Sequence, residues 1–226
     1  MKNITGSWII DLSKEVPDTA QLFGIDISIN LVPSTRPANI QFLEASATKL
    51  PEDWASRYAF VHQRLLFGAL TTAEWNSALH EMFRVLKPGG TIQLAEVESP
   101  DWANGGDDER LMQSAASALW KDRGLLLECG KMIPEILKEA GFVDIRSEIR
   151  YLPLGQGAGH LGKLGSASIL GAYRGMKRPI LEAKGYGLIE SEEQWEQILE
   201  NVEKGWDENP GRTATFVVIC ATKPSA

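Results

Sequence analysis

The chain has 226 residues, 43% hydrophobic and 23% charged. That is enough apolar material for one α/β domain with a sizeable core, and it argues against long disorder. A formal charge of −7 disfavours a nucleic-acid backbone or an anionic membrane as the main partner, since neither supplies cations. Cys129 and Cys220 are too few and too far apart for a disulfide scaffold or a zinc site. No apolar run approaches the ~20 residues of a membrane span, and no apolar signal core follows Met1, so a soluble cytoplasmic protein is expected.

The first 28 residues read as a nucleotide-site βαβ unit without its opening strand. Gly6 stands where a glycine turn would feed a helix, and Asp26 follows twenty residues later at a strand end. In a nucleotide site that spacing sets an acid near the ribose hydroxyls and a helix N-terminus beside the ligand. Residues 8–16 have helical spacing and stop at Pro17, and residues 21–26 form a short apolar strand. Residues 39–44 give the next strand and residues 59–63 another. Residues 72–85 predict a helix with Trp75, Leu79, Met82, Phe83 and Leu86 on one face. It ends at Lys87-Pro88-Gly89-Gly90, directly before a strand over 91–97. This alternation predicts a parallel sheet with helices on its faces.

The second half opens with a Gly/Asp/Asn-rich loop over 101–108, then helices over 109–120 and 132–139 and a strand over 143–150. Residues 155–171 are rich in glycine and read as a mobile loop or part of a lid. Helices over 168–183 and 191–205 follow, the latter with Ser191 as its cap and Gln194 three residues on. Residues 213–221 are the closing strand. The chain reads as one domain, 1–226, with 151–210 as a helical cap or lid.

Residues 8–17, Gly24-Ile25-Asp26-Ile27-Ser28, His62-Gln63-Arg64-Leu65, and Arg84-Val85-Leu86-Lys87-Pro88-Gly89-Gly90 followed by Glu96 resemble class I S-adenosylmethionine-dependent methyltransferases. The likeness is to the fungal secondary-metabolism group with the LaeA-like and UMTA-type proteins. It implies a Rossmann-like methyltransferase fold with a mostly parallel sheet, an antiparallel C-terminal strand and a helical cap. It also implies that Thr5 and Gly6 end the cofactor loop, that Asp26 holds the ribose hydroxyls, and that Ser46 stands where most members place an Asp for the adenine amino group. A serine there accepts one uncharged hydrogen bond.

The family's first strand, central in the sheet, has no counterpart after Met1. Losing it would leave two rows of backbone groups facing a gap, at ~1–3 kcal/mol for each buried unpaired group. So the second and fourth strands close on each other, or another chain donates a strand, or the sequence is incomplete. Either of the first two remodels the cofactor floor and weakens or abolishes S-adenosylmethionine binding.

The candidate catalytic residues are His62 and Arg64 at one strand end, and Glu96 and Glu98 flanking the next, both expected to face one crevice. Trp102, Tyr151 and His160 are candidates for touching substrate. No metal is expected. The partners expected are a small-molecule substrate and either a second copy or a strand-donating chain. Three functions fit: a non-methylating cyclase or pericyclase of small-molecule biosynthesis, placed first because of the missing strand and Ser46; an O-, N- or C-methyltransferase; and a non-catalytic partner of another methyltransferase.

Overall fold

The computed structural model describes residues 6–98, 105–126 and 128–225. Its first half runs α1 (Ser7–Leu12), β1 (Leu22–Asp26), β2 (Ile40–Glu44), β3 (Tyr58–Arg64), α2 (Thr72–Val85) and β4 (Leu86–Val97). The second half adds α3 (Asp107–Asp122), α4 (Cys129–Glu139), β5 (Val143–Pro153), α5 (Gly159–Arg174), α6 (Lys177–Glu182), α7 (Glu192–Glu208) and β6 (Thr213–Thr222). β1 and β2 pair in parallel as a two-stranded sheet. The other strands form a four-stranded sheet in the order β3-β4-β6-β5, in which β3 and β4 are parallel and β6 runs antiparallel to both its neighbours. The architecture is α/β and Rossmann-like, with a mixed sheet.

Direct closure of the sheet, one of the outcomes expected from the sequence, does not occur. β1 and β3 lie in separate sheets, with no strand pairing between them among the described residues. Side chains join the two sheets instead, and they do so on both faces, because Phe23 and Gly24 point to opposite sides of β1. On one face Gly24 has no side chain, so the Phe42 ring of β2 lies over it. A Cβ at Gly24 or at Gly6 would come within 2.6 Å of that ring. Ile9 of α1 packs beside Gly24, and Trp8, the residue before it, stacks on His62 of β3 with ring centroids 3.7 Å apart. α1 is therefore a bracket between the two sheets. On the other face Phe23, Trp54 and Tyr58 meet edge to face at 5.1–5.6 Å, and the Arg57 guanidinium lies 4.9 Å from the Phe23 ring centroid. Trp54, Leu50 and Val85 are the buried floor of that cluster.

The main core lies between the four-stranded sheet and its helices. α2 starts with a reciprocal cap: the Thr71 hydroxyl accepts from the Glu74 N–H, and the Glu74 carboxylate accepts from the Thr71 N–H at 2.8 Å. Its buried face carries Trp75, Ala78, Leu79, Met82 and Val85, close to the predicted stripe. One apolar cluster joins Trp75 and Leu79 to Ile92 and Leu94 of β4, Ile133 of α4, Leu170 of α5 and Trp195 and Trp206 of α7. The helices of 151–210 thus share the core of the sheet.

Several elements differ from the sequence expectation. α1 is shorter than residues 8–16, and the helix expected over 168–183 breaks between α5 and α6. The glycine-rich stretch 155–171, expected as a mobile loop or part of a lid, is mostly α5. Gly162 packs against the carbonyl of Gly155 and Gly165 against that of Pro153, where a Cβ could not fit. These glycines allow close approach rather than flexibility. Lys87-Pro88-Gly89-Gly90 belongs to β4, where Gly89 donates to the Lys223 carbonyl at 2.9 Å and Lys223 donates to that of Gly90 at 2.8 Å.

Candidate functional site

Ligands of open α/β sheets bind at the carboxyl ends of the parallel strands. Asp26 ends β1, Ser46 lies just past β2, His62 and Arg64 end β3, and Glu96 and Glu98 lie at the end of β4. β5 runs alongside in the same sense, with Tyr151 opposite Thr215, whose carbonyl accepts from the Glu98 N–H at 3.1 Å. The fold therefore brings these residues to one rim. His160 is exposed at the start of α5, the helix after β5. Trp102 and Thr5 lie outside the described residues.

The β1 side of the rim carries the nucleotide-type features. Gly6 precedes α1 with φ 71, a left-handed conformation that suits glycine. The half-buried Asp26 carboxylate accepts from the Ser28 N–H at 3.0 Å, and the Ala45 N–H donates to the Asp26 carbonyl at 2.9 Å, which ties the ends of β1 and β2 together. Ser46 shares a 2.8 Å hydroxyl–hydroxyl bond with Thr48 and accepts from the Thr48 N–H.

The β3 side is different in kind. His62 stacks against Trp8, its Nδ1 lies 3.1 Å from Gln93 Oε1, and its Nε2 is buried with no hydrogen-bond partner among the described residues. Burial disfavours the imidazolium and, with the nearby Arg64 charge, pushes the pKa down to about 4 despite the bond to Gln93. His62 is neutral at physiological pH. Arg64 is exposed and lines an open hollow of about 300 Å³ with Ser7, Trp8, Asp11, Leu12 and Glu15. Trp8 and Gln93, the partners that define His62, were not singled out in the sequence. The order Gly6-Ser7-Trp8 puts a tryptophan at the helix start, and that was the available signal for Trp8.

Glu96 corrects the expectation that it and Glu98 face one crevice. Along β4 the inward positions are Ile92, Leu94 and Glu96, all fully buried. The Glu96 carboxylate accepts from the Gln63 side-chain amide, from the Leu66 N–H at 2.8 Å and from the Phe67 N–H at 2.9 Å. It clamps the turn after β3, including Leu65, whose φ of 58 costs roughly 1 kcal/mol or more and persists only where its surroundings fix it. Glu96 positions the rim. Glu98 is half-buried against Gly130 at the start of α4.

Among the described residues no group of three or more His, Cys, Asp or Glu side chains is placed to hold a metal, and no helix is long and apolar enough to cross a membrane.

Comparison with known proteins agrees with this geometry. Residues 4–90 match a protein family described as a methyltransferase domain. The chain is 29% identical to the N-methyltransferase verN of Clonostachys rogersoniana over 97% of its own length and 76% of that protein's. It is 30% identical to the N-methyltransferase tcpN of Claviceps purpurea over 67% of its length, spanning 56% of that relative. Among solved structures it superposes on a phosphoethanolamine N-methyltransferase of Haemonchus contortus with a TM-score of 0.57, at 16% identity, covering 97% of this chain and 47% of that one. It superposes on the 4+2 cyclase SpnF with a TM-score of 0.55, at 18% identity, covering 98% and 72%. The chain therefore has the Rossmann-like methyltransferase fold and is related to the fungal N-methyltransferases.

Proposed function

We propose that this chain acts on a small metabolite as an S-adenosylmethionine-dependent methyltransferase, and that methyl transfer requires a strand to fill the slot between β1 and β3. The observation that carries the proposal is the way the slot divides the rim. Gly6, Asp26 and Ser46 lie with the two-stranded sheet, whereas His62, Arg64 and Glu98 lie with the four-stranded one. The first set fits an adenosyl ligand: a glycine where a Cβ would strike Phe42, an acid at a strand end, and a hydroxyl beside it. When bound, S-adenosylmethionine supplies an activated methyl group. Arg64 would orient an anionic substrate group from the other side, and neutral His62 would accept a proton only weakly.

Catalysis by alignment loses about a hundredfold for a misplacement of order 1 Å. No backbone hydrogen bond among the described residues fixes the cofactor side of the rim to the substrate side. A strand lying between β1 and β3 would do so, and it corresponds to the first strand of the family. Its source would be a longer form of this protein, a second copy or another chain.

The relatives' names and their span over most of the chain support methyl transfer ahead of the cyclase reading that the sequence put first. The cyclase or pericyclase reading keeps one observation in its favour: the His62–Trp8–Gln93 group and Arg64 need no cofactor to bind and polarise a substrate. Calorimetry with S-adenosylmethionine and S-adenosylhomocysteine on the 226-residue chain tests the dependence on the slot. The expected dissociation constants are weaker than about 100 μM, roughly −5.5 kcal/mol. Low-micromolar binding by the chain alone would refute the need for a further strand. Turnover of a substrate without cofactor would move the assignment to the cyclase.

A further inference from the structure

We infer that the outer edge of β5 is the seat of a symmetric dimer, in which β5 pairs antiparallel with β5 of a second copy about an axis through Ser147. β5 is the last strand of the four-stranded sheet, paired among the described residues with β6 on one edge only. Such an edge carries a row of donors and acceptors ready for another strand. Residues 146–151 are all exposed, with Ile149 at 40% and Tyr151 at 68%.

The order of side chains along this edge selects both the occupant and its register. In an antiparallel pair, residues equidistant from the axis stand opposite each other on the same face. With the axis at Ser147, Arg146 meets Glu148 of the second copy, Glu148 meets its Arg146, and Ile145 meets its Ile149. The bulge at Asp144, where φ is 53, does not disturb these pairs. Val143 lies opposite Thr222 and Arg146 opposite Cys220, so Ile145 holds the slot between them on the face of Ile149. An axis at Arg146 or at Glu148 would set that residue against itself. An axis at Ile149 would match Glu148 with Arg150 but would set Arg146 against Leu152 and Ile145 against Pro153, which has no N–H to donate. Among the described residues of one chain Glu148 is paired with exposed Arg150, a weak contact that lets it join a larger network. The chain as a whole carries −7, so two copies repel, but the four charges between Asp144 and Arg150 cancel. Along this edge two copies therefore meet without net local repulsion.

Analytical ultracentrifugation of the full chain, from low to several hundred micromolar, should record a monomer–dimer equilibrium. Glu148→Arg puts arginine against arginine twice and should weaken association about ten- to a hundredfold. The double variant Arg146→Glu with Glu148→Arg re-forms both pairs and should restore association to within about threefold. For the Ile149 axis the same swap would leave the arginine introduced at position 148 facing Arg150, so restoration also fixes the register. Both positions are exposed, and circular dichroism confirms that the variants fold. A strictly monomeric chain, a dimer indifferent to Glu148→Arg, or a swap that fails to restore association would each overturn the proposal.

Discussion

β4 and β6 are hydrogen-bonded along both edges and packed beneath α2 and α4, whereas among the described residues β1 and β2 pair only with each other and reach the four-stranded sheet chiefly through aromatic side chains. In the first region backbone pairing sets the distances, and side chains fill what remains. In the second, Trp8, Phe42 and Trp54 set the distances, and two backbone edges go unmatched among the described residues. Ring contacts tolerate sliding that a hydrogen-bond ladder does not. The candidate cofactor residues therefore sit on the softer part and the candidate substrate residues on the stiffer part.

Three substitutions test this contrast. Glu96→Ala removes the acceptor for three donors inside the stiff region and should lower global stability by about 3–5 kcal/mol in urea denaturation. A loss under about 1 kcal/mol would mean that the turn after β3 holds itself. Trp54→Ala takes away the ring cluster on one face of the slot and should cost about 3 kcal/mol. Its distinguishing signature is in amide hydrogen exchange, where protection in β1 and β2 should fall well before that in β4 and β6. Equal loss in all four strands would show the two sheets opening as one unit. The smallest effect concerns His62. Its folded pKa is depressed to about 4 from an unfolded value near 6.5, so the unfolded chain binds the proton more readily in between. The stability tied to His62 should be complete above about pH 6.5 and fall as pH drops toward about 4. His62→Gln should flatten the melting temperature over that window, and an unchanged slope would assign it to other groups.

How much of this was legible in the sequence follows from the range of the interactions involved. α2, β1, β2 and β6 rest on local spacing, caps and apolar runs, and their limits lie within a residue or so of the expected ones. Residues 159–167 of α5 were not legible, because glycine signals freedom to a local reading, while here Gly162 and Gly165 answer to carbonyls of the preceding segment. The family likeness posed the question of how β1 and β3 meet. The brackets between them could not be foreseen, since Trp8 with His62 and Phe23 with Tyr58 join residues 54 and 35 positions apart. Glu96 was legible as a strand-end acid and misread in direction, because the alternation along β4 points it to the core and only Gln63 and the turn after β3 explain how a carboxylate can stay there.

The position of β6 bears on how the molecule comes into being. This last strand in the chain lies between β4 and β5, and Lys223 just after it donates to the Phe83 and Leu86 carbonyls at 2.8 and 2.7 Å, beside the end of α2. During synthesis β4 and β5 are complete long before the strand that joins them exists. The larger sheet must then form late, through contacts of high sequence separation, which makes for slow folding. Until then the nascent chain presents open strand edges, and its survival depends on the helices already made and on whatever shields those edges in the cell.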